Sequence, residues 1–418
     1  MERYGLLGAH LPHSFSKELH EALGRYSYEL IELAPEALGD FLRRRDFAGL
    51  NVTIPYKQAV IPCLDGLSDR AAAIGAVNTI VNRDGRLYGD NTDLGGLLAM
   101  LRRAGISLRG KKVLILGSGG TSRTALAAAR SEGAALALRV SRSGREDAVT
   151  YEAACTDHAD AQVLLNATPV GMYPRLDAVP VDLSRFPNLE GVADVIYNPL
   201  RTRLCLAAAE RGLPTANGLY MLVAQAMLAA EQFTGEPVPE AEYARIYGAL
   251  LDRKRNLVFI GMPGSGKSTL GRLLAARTGK PFFDSDELIA ERAGMSIPDI
   301  FARQGETVFR DLETEVIRAL SAQGGRIVAT GGGAVLRPEN VTALRQNGLL
   351  VFLDRPLEAL TPTADRPLGD SMDKLRALYA QRRPIYEAAA DRRVEVRGTP
   401  EETIQLILSR SDTTIVHC

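Results

Sequence analysis

The sequence predicts an α/β protein with two separate parallel sheets, and three observations carry that expectation. At 418 residues the chain exceeds what one hydrophobic core ordinarily organises, so two or three domains are expected. Two segments share one local pattern, an apolar β-rich run, a glycine-rich turn and a helical stretch: Lys112-Val-Leu-Ile-Leu-Gly117 and Asn256-Leu-Val-Phe-Ile-Gly261. Each opens a strand–helix unit of the kind that builds parallel sheets. Between them Gly235-Glu-Pro-Val-Pro239 punctuates the chain, Tyr243 to Leu251 reads as a helix, and the polar run Asp252-Arg-Lys-Arg255 leads into the second strand. A domain boundary is therefore expected near Lys254.

Composition narrows the partners. Lys plus Arg equals Asp plus Glu at 50 each, so neither nucleic acid nor an anionic membrane is expected as a partner. Any basic site is local, a few arginines around a small anion. Cys63, Cys155, Cys205 and Cys418 lack metal-ligand or disulfide spacing and read as free thiols of a reducing cytoplasm. The start Met1-Glu2-Arg3-Tyr4-Gly5 does not have the pattern of a signal peptide, and the apolar stretch Tyr220 to Ala230 is about half a membrane span. A cytoplasmic protein is expected.

The second glycine turn is the sharper motif. Gly261-Met-Pro-Gly-Ser-Gly-Lys-Ser268 fits G-x-x-x-x-G-K-[ST] at every fixed position, after a predicted strand and before a helical pattern from Thr269 to Thr278. The small residues Gly264, Ser265 and Gly266 let backbone N–H groups wrap phosphates, and the helix opening at Thr269 adds its positive end. Lys267 is then placed for the β- and γ-phosphates of ATP, and the Ser268 hydroxyl for Mg²⁺. This sets a kinase or NTPase class and leaves the acceptor open.

Phe282-Phe-Asp284-Ser-Asp286 reads as a buried strand whose two carboxylates share one face. One acid suits a metal and the other an acceptor hydroxyl, although acids at a strand end also cap helices. Then follow Phe309-Arg310 on a helix, Thr330-Gly-Gly-Gly333 after the strand Arg326 to Ala329, Arg366-Pro367-Leu368 in a loop, and Arg382-Arg383-Pro384 near a helix end. A single surface arginine is usually solvated; three near a phosphate loop point to an anionic substrate.

With these motifs in this order, the stretch from about Asn256 to Arg410 resembles shikimate kinase. The resemblance implies that Asp284 acts at the Mg²⁺ site through water and that Asp286, as a catalytic residue, holds the acceptor hydroxyls and accepts the proton. It places Arg310 and Arg382 on the shikimate carboxylate and brings Gly331, Gly332 and Gly333 to the substrate by backbone. Arg366 of the lid would stabilise the transferring phosphoryl group. The lid segment Leu360-Thr-Pro-Thr-Ala-Asp365 departs from the family, being shorter, less basic and without a second arginine. That departure bears on how tightly ATP is clamped, more than on which reaction is catalysed.

In the first half, Gly117-Ser-Gly119-Gly-Thr-Ser122 follows a strand and opens a helix, with Ser where the dinucleotide fingerprint has Gly or Ala. Read as that fingerprint, Gly117, Ser118, Gly119, Gly120 and Thr121 receive a pyrophosphate; the other account is a plain tight turn. The strand Ala135 to Val140 ends in Ser141-Arg142-Ser143-Gly144-Arg145, with arginines where an NAD site carries an acid. Ser141, Arg142 and Arg145 fit a 2′-phosphate, which predicts NADP; a basic surface loop is the competing account.

Four polar clusters lie between apolar runs: His13-Ser14-Phe-Ser16, Asn51-Val-Thr53-Ile-Pro-Tyr-Lys57, Gly75-Ala-Val-Asn78-Thr79 and Gly89-Asp90-Asn91-Thr92-Asp93. Such groups suit a polyhydroxylated acid, and Lys57 with Asp93 suits proton transfer at a carbonyl. Each cluster alone is also ordinary turn chemistry. Together, and in this order, they resemble shikimate dehydrogenase from Arg3 to about Leu250, a match that includes Asn217-Gly218-Leu-Tyr-Met-Leu-Val-Ala-Gln225. The resemblance implies substrate contacts from Ser14, Ser16, Asn51, Thr53, Asn78, Asp93 and Gln225, with Tyr197 nearby. Lys57 and Asp93 become the catalytic pair, while Asn166-Ala167-Thr168 and Gly218 belong to the cofactor cleft. His13 is read as a turn residue.

The expected organisation is an α/β substrate-binding part (1–105 and 216–250) with a Rossmann NADP-binding part (106–215) inside residues 1–253. A P-loop kinase domain, a parallel sheet flanked by helices, spans 254–418. The first half would make shikimate from 3-dehydroshikimate and NADPH, and the second would phosphorylate it. Three alternatives stay open: quinate with NAD in the first half, one half serving as a binding or regulatory module, or a P-loop kinase for another small polyol.

Overall fold

The apolar runs ahead of the two glycine turns are central strands of two parallel sheets in the computed structural model, which describes residues 2–11, 14–144, 147–360 and 372–409. Strand Lys112–Leu116 lies in a six-stranded sheet of order Thr215–Asn217, Gly191–Asp194, Val163–Asn166, Lys112–Leu116, Leu136–Val140, Ala148–Val149. All of its pairings are parallel. Val113 to Leu116 are fully buried, as expected where both faces are covered. Two apolar clusters, one on Ile115 and Leu165 and one on Leu114 and Leu164, form the two covers. The alanine-rich stretch from Thr124 to Leu138 is not one helix: it divides between the helix Gly120–Ser131 and the strand Leu136–Val140.

The amino-terminal sheet is mixed, in the order Tyr28–Glu32, Tyr4–Gly8, Gly49–Val52, Thr79–Arg83, Arg86–Asp90, Gly66–Leu67. Tyr4–Gly8 pairs in parallel with both neighbours, whereas Thr79–Arg83 is antiparallel to both of its own. The chain returns to this part through the helix Gly218–Thr234, which packs along Thr92–Arg103. This helix contains the Tyr220 to Ala230 stretch and is largely buried in the protein. Among the described residues no helix is long and apolar enough to cross a membrane.

The third sheet is parallel, in the order Phe282–Asp284, Ile327–Ala329, Asn256–Ile260, Gly348–Asp354, Arg392–Glu395. The helix Glu240–Lys254 enters it with Arg255 alone between helix and strand. The first part of the chain docks on the amino ends of these strands. Arg201 reaches the carbonyls of Arg345, Gln346 and Gly348, and Leu200 N–H donates to Asn347 Oδ1 at 2.9 Å.

Two local expectations change. The strand at Phe282 stops at Asp284 and is only partly buried; Asp286 belongs to the first turn of the helix Ser285–Ala293. The cause is helix capping, because Asp284 Oδ1 accepts the Asp286 N–H at 3.0 Å and starts the helix one residue later. Arg382 lies inside the helix Met372–Ala389 rather than near its end, and Pro384 is accommodated within it.

Candidate functional site

Two cavities gather the residues singled out by the sequence. The first, of about 480 Å³, lies between the amino-terminal sheet and the Rossmann part. Ser14, Ser16, Asn51, Thr53, Lys57, Asn78, Asp93, Thr121, Tyr197, Gly218 and Gln225 all line it. At its centre Lys57 Nζ donates to Asp93 Oδ2 at 2.6 Å. Asp93 is fixed from the other side by Asn78 Nδ2 at 2.9 Å, and the Thr92 N–H donates to Asn78 Oδ1 at 2.7 Å. A half-exposed ammonium against a held carboxylate can pass a proton to or from a carbonyl oxygen placed in the cavity.

Asn51 is oriented from behind. Its Oδ1 accepts the Tyr28 hydroxyl at 2.7 Å, and its Nδ2 donates to the Asn78 carbonyl at 3.3 Å and to Thr79 Oγ1 at 3.2 Å. Tyr28 in turn stacks on the buried His20 at 4.2 Å. Burial pushes His20 down to about 3, against a weaker opposing pull from Asn51, so its ring is neutral at ordinary pH. Sequence reading missed this inner layer, and no motif marks it. His20 is the sole histidine in a helix that covers the sheet, and Tyr28 is a strand residue like many others.

The turn Gly117–Thr121 sits at the carboxyl end of Lys112–Leu116, where the strand order of the sheet reverses and ligands of such sheets bind. Gly119 caps the helix Gly120–Ser131, and Ser118 is exposed. Ser122 occupies the fingerprint's sixth position fully buried, its hydroxyl donating to the Gly119 carbonyl at 2.7 Å. A serine fits there because its one polar atom is satisfied by the turn itself. Ser141 Oγ accepts the Gly144 N–H at 3.1 Å, and Arg142 is exposed beside it; Arg145 and His13 lie outside the described residues. Asn166 is buried, with its amide committed to Asp194 at 3.1 Å and Thr168 Oγ1 at 2.6 Å, so it shapes the cleft's loop. Gly218 has a steric reason, because a side chain there would run into the Val195 carbonyl.

The second cavity, of about 520 Å³, lies at the carboxyl ends of the third sheet. Gly264, Gly266, Lys267, Ser268, Thr269, Asp284, Asp286, Arg310, Gly331, Gly332, Gly333 and Arg382 line it. Ser265 is buried beneath the loop, and Arg366 lies outside the described residues. Lys267 Nζ folds over the loop onto the Gly261 and Met262 carbonyls, both at 2.9 Å. Ser268 Oγ donates to Asp284 Oδ2 at 2.6 Å, which brings a hydroxyl and a carboxylate to one point of the wall.

The three glycines each have a distinct neighbour. A Cβ on Gly331 would come 2.5 Å from Asp286 Oδ1, one on Gly332 would come 2.8 Å from Pro263 Cδ, and one on Gly333 would meet the Arg310 guanidinium. Any side chain in this turn therefore displaces a member of the cavity wall. Arg310 is braced by Glu313 at 2.8 Å and Glu306 at 3.1 Å. Burial pushes the fully covered Glu313 carboxyl up, opposed by the guanidinium groups of Arg310, Arg382 and Arg337. Glu313 and Arg355 escaped the sequence reading. Glu313 was findable three positions after Arg310 on the same helix face, and Arg355 as the first residue beyond a strand's carboxyl end. Arg383, grouped with Arg382 in the sequence, turns instead toward Asp354 at 3.6 Å and Glu387 at 3.4 Å.

Comparison with known proteins agrees with this division. A family model described as shikimate dehydrogenase substrate binding domain matches residues 6–80, and a shikimate kinase model matches residues 263–411. The shikimate dehydrogenase (NADP(+)) of Geobacillus kaustophilus is 40% identical over 255 residues, covering 56% of this chain and 92% of that protein. The Clostridium beijerinckii enzyme is 36% identical, over 55% of this chain and 91% of that one. Among solved structures, a chorismate mutase/shikimate 5-dehydrogenase fusion protein from Clostridium acetobutylicum superposes with TM-score 0.56 at 33% identity, covering 60% of this chain and 97% of that chain. Shikimate 5-dehydrogenase from Thermus thermophilus in complex with NADP(H) and shikimate gives 0.54 at 34% identity, over 59% and 98%. The chain belongs to the shikimate dehydrogenase family over its first 60% and continues into a shikimate kinase domain, a fusion of two shikimate-pathway enzymes.

Proposed function

We propose that the first cavity reduces 3-dehydroshikimate to shikimate with NADPH and that the second phosphorylates shikimate to shikimate 3-phosphate with Mg-ATP. Residues 1–253 carry the first activity, with 1–105 and 216–250 binding substrate and 106–215 binding NADPH; residues 254–418 carry the second. The observation that supports this most is the Lys57–Asp93 pair, at 2.6 Å, opening on a cavity otherwise lined by hydroxyls and amides.

In the first site Ser14, Ser16, Asn51, Thr53 and Gln225 bind the carboxylate and hydroxyls, and Tyr197 closes one side. Lys57 delivers the proton to the carbonyl oxygen while Asp93, tied to Asn78, holds the ammonium and a substrate hydroxyl. NADPH, when bound, supplies the hydride. The residues fit that cofactor: a glycine turn meets a helix N-terminus, Thr121 borders the substrate cavity, and Arg142 with no acid at Ser141 favours a 2′-phosphate.

In the second site Arg310 and Arg382 bind the shikimate carboxylate and the triple glycine lets the ring approach the backbone. Asp286 accepts the acceptor hydroxyl's proton, and Lys267 neutralises phosphoryl oxygens, helped by Arg366 from the lid. Mg²⁺ suits the Ser268–Asp284 pair, an all-oxygen donor set. An ion held there would take most of its remaining oxygens from phosphates and water. Among the described residues Cys63, Cys155 and Cys205 form no disulfide.

The reading is tested on the full chain by following NADPH loss with 3-dehydroshikimate and, separately, ADP release with shikimate. Lys57→Ala is expected to abolish the first activity alone, and Lys267→Ala the second alone. A wild-type chain inert toward both substrates would contradict the assignment.

A further inference from the structure

One wall of the first cavity is made by Phe15 and Tyr197, whose rings meet edge to face at 6.1 Å. The kinase domain stands behind that wall. Lys254, which ends the helix Glu240–Lys254, places its ammonium 4.2 Å from the Phe15 ring centre and 5.6 Å from that of Tyr197. Its carbonyl accepts the Gly325 N–H at 2.8 Å, and Gly324 passes so close that a side chain there would strike the same carbonyl. Burial, with Arg253 alongside, lowers the Lys254 pKa against the pull of Glu18. The two ring faces, together with Glu18, offset part of this desolvation.

A second tie comes four residues after Tyr197. The Arg201 N–H donates to the Gln346 carbonyl at 2.8 Å and its Nε to the Arg345 carbonyl at 2.8 Å. Its Nη2 donates to the Gly348 carbonyl, and Nη1 stands 3.4 Å from Asp391 Oδ1. Arg345 and Gln346 belong to the last turn of the helix Pro338–Asn347, whose final carbonyls have no partner within the helix. Arg201 is thus the C-terminal cap of a kinase helix, supplied by the dehydrogenase. Toward its own domain the loop is anchored by buried Asp194, which accepts the Ile196 N–H at 3.0 Å and the Thr202 hydroxyl at 2.7 Å. Tyr197 therefore lies on a strap pinned to both domains. Behind the strap is a cavity of about 330 Å³ bordered by Tyr197, Asn198, Lys254, Gln323 and Asn347, which leaves room for it to fall back once a tie is cut.

We propose that the kinase domain is the back wall of the dehydrogenase's substrate pocket, with Arg201 and Lys254 as positioning residues that hold Tyr197 and Phe15 against the substrate. This rests on reading the first cavity as the dehydrogenase site. Neither Arg201 nor Lys254 lines that cavity, so both act through the residues that do.

The test uses the full chain with shikimate and NADP⁺, without ATP, and measures kcat and KM for shikimate. Arg201→Ala and Lys254→Met are expected to raise KM roughly tenfold through a misplaced wall, with kcat within about twofold of wild type. Arg201→Lys and Lys254→Arg should recover part of that loss. ADP release from ATP and shikimate, at the far ends of the kinase strands, should be unchanged in all four and reports that the kinase domain is folded. If Arg201→Ala fails to fold, Lys254→Met, which keeps most of the side-chain stem, decides. KM unchanged in the folded variants, or kcat and kinase activity falling together, would overturn the proposal. A wild-type chain without NADP⁺ reduction would instead overturn the reading of the site itself.

Discussion

Adding one methyl group at Gly333 should disable the kinase while leaving the dehydrogenase of the same molecule intact. Gly333 has φ −103° and ψ −1°, a conformation open to alanine, so the substitution introduces no backbone strain. Its cost is steric. The new Cβ would fall on Arg310 Nη1 and lie 2.5 Å from Nη2, where non-bonded contact needs about 3.5 Å. The guanidinium has to retreat by about 1 Å or more, and it is held by Glu313 at 2.8 Å and Glu306 at 3.1 Å. Because the clash is with the end of a flexible side chain, the melting temperature should hardly move. The substrate carboxylate instead loses a charge-assisted contact of about 1.5–3 kcal/mol. That corresponds to a KM for shikimate raised roughly 10- to 150-fold in ADP release. NADP⁺ reduction by shikimate in the same preparation is the internal standard. An unchanged kinase KM in a folded Gly333→Ala chain would refute the placement of Arg310 on the substrate.

Three further outcomes follow from the geometry. Asp93→Asn keeps the shape beside Lys57 and Asn78 but removes the charge, so NADPH oxidation should fall by about 10²- to 10⁴-fold with ADP release untouched; an undiminished rate would contradict the pair. His20 is held near 3 in the fold against about 6.5 when unfolded, so the stability it contributes is complete above 6.5 and lost as pH falls toward 3. The unfolding free energy from denaturant titration should drop over that window, by up to about 1.4 kcal/mol per pH unit, and a folded His20→Gln chain should show a flatter slope; equal slopes would refute this. Finally, the dehydrogenase packs on the amino ends of the kinase strands while the kinase cavity opens at their carboxyl ends, about 23 Å away along the seven-residue Gly348–Asp354. Shikimate should leave into solvent between steps, so added unlabelled shikimate should dilute label from 3-dehydroshikimate in proportion; retained label would show a guarded path.

Much of this architecture was legible because the chemistry that fixes it is local. A glycine turn between an apolar run and a helix announces a central parallel strand, and both such turns lie where the sequence placed them. The residues of both cavities were legible as well, since hydroxyl, amide and glycine clusters between strands gather at strand ends. What escaped depends on contacts between distant segments. The Asp284 cap, which moved Asp286 from strand to helix, is a competition between two local preferences that the sequence leaves balanced. His20, Glu313 and Arg201 act only through what packs on them: Tyr28, Arg310 and the end of a helix more than a hundred residues away. The lid arginine Arg366 falls outside the described residues, and its role rests on the sequence.

The most direct test of the central claim supplies the full chain with 3-dehydroshikimate, NADPH and Mg-ATP together. Shikimate 3-phosphate should accumulate with one NADPH and one ATP consumed per molecule. Lys57→Ala and Lys267→Ala chains, each unable to form it alone, should form it when mixed. NADPH oxidation without ADP release, or no NADPH oxidation while shikimate added separately still releases ADP, would leave a single enzyme with a silent partner and contradict the account.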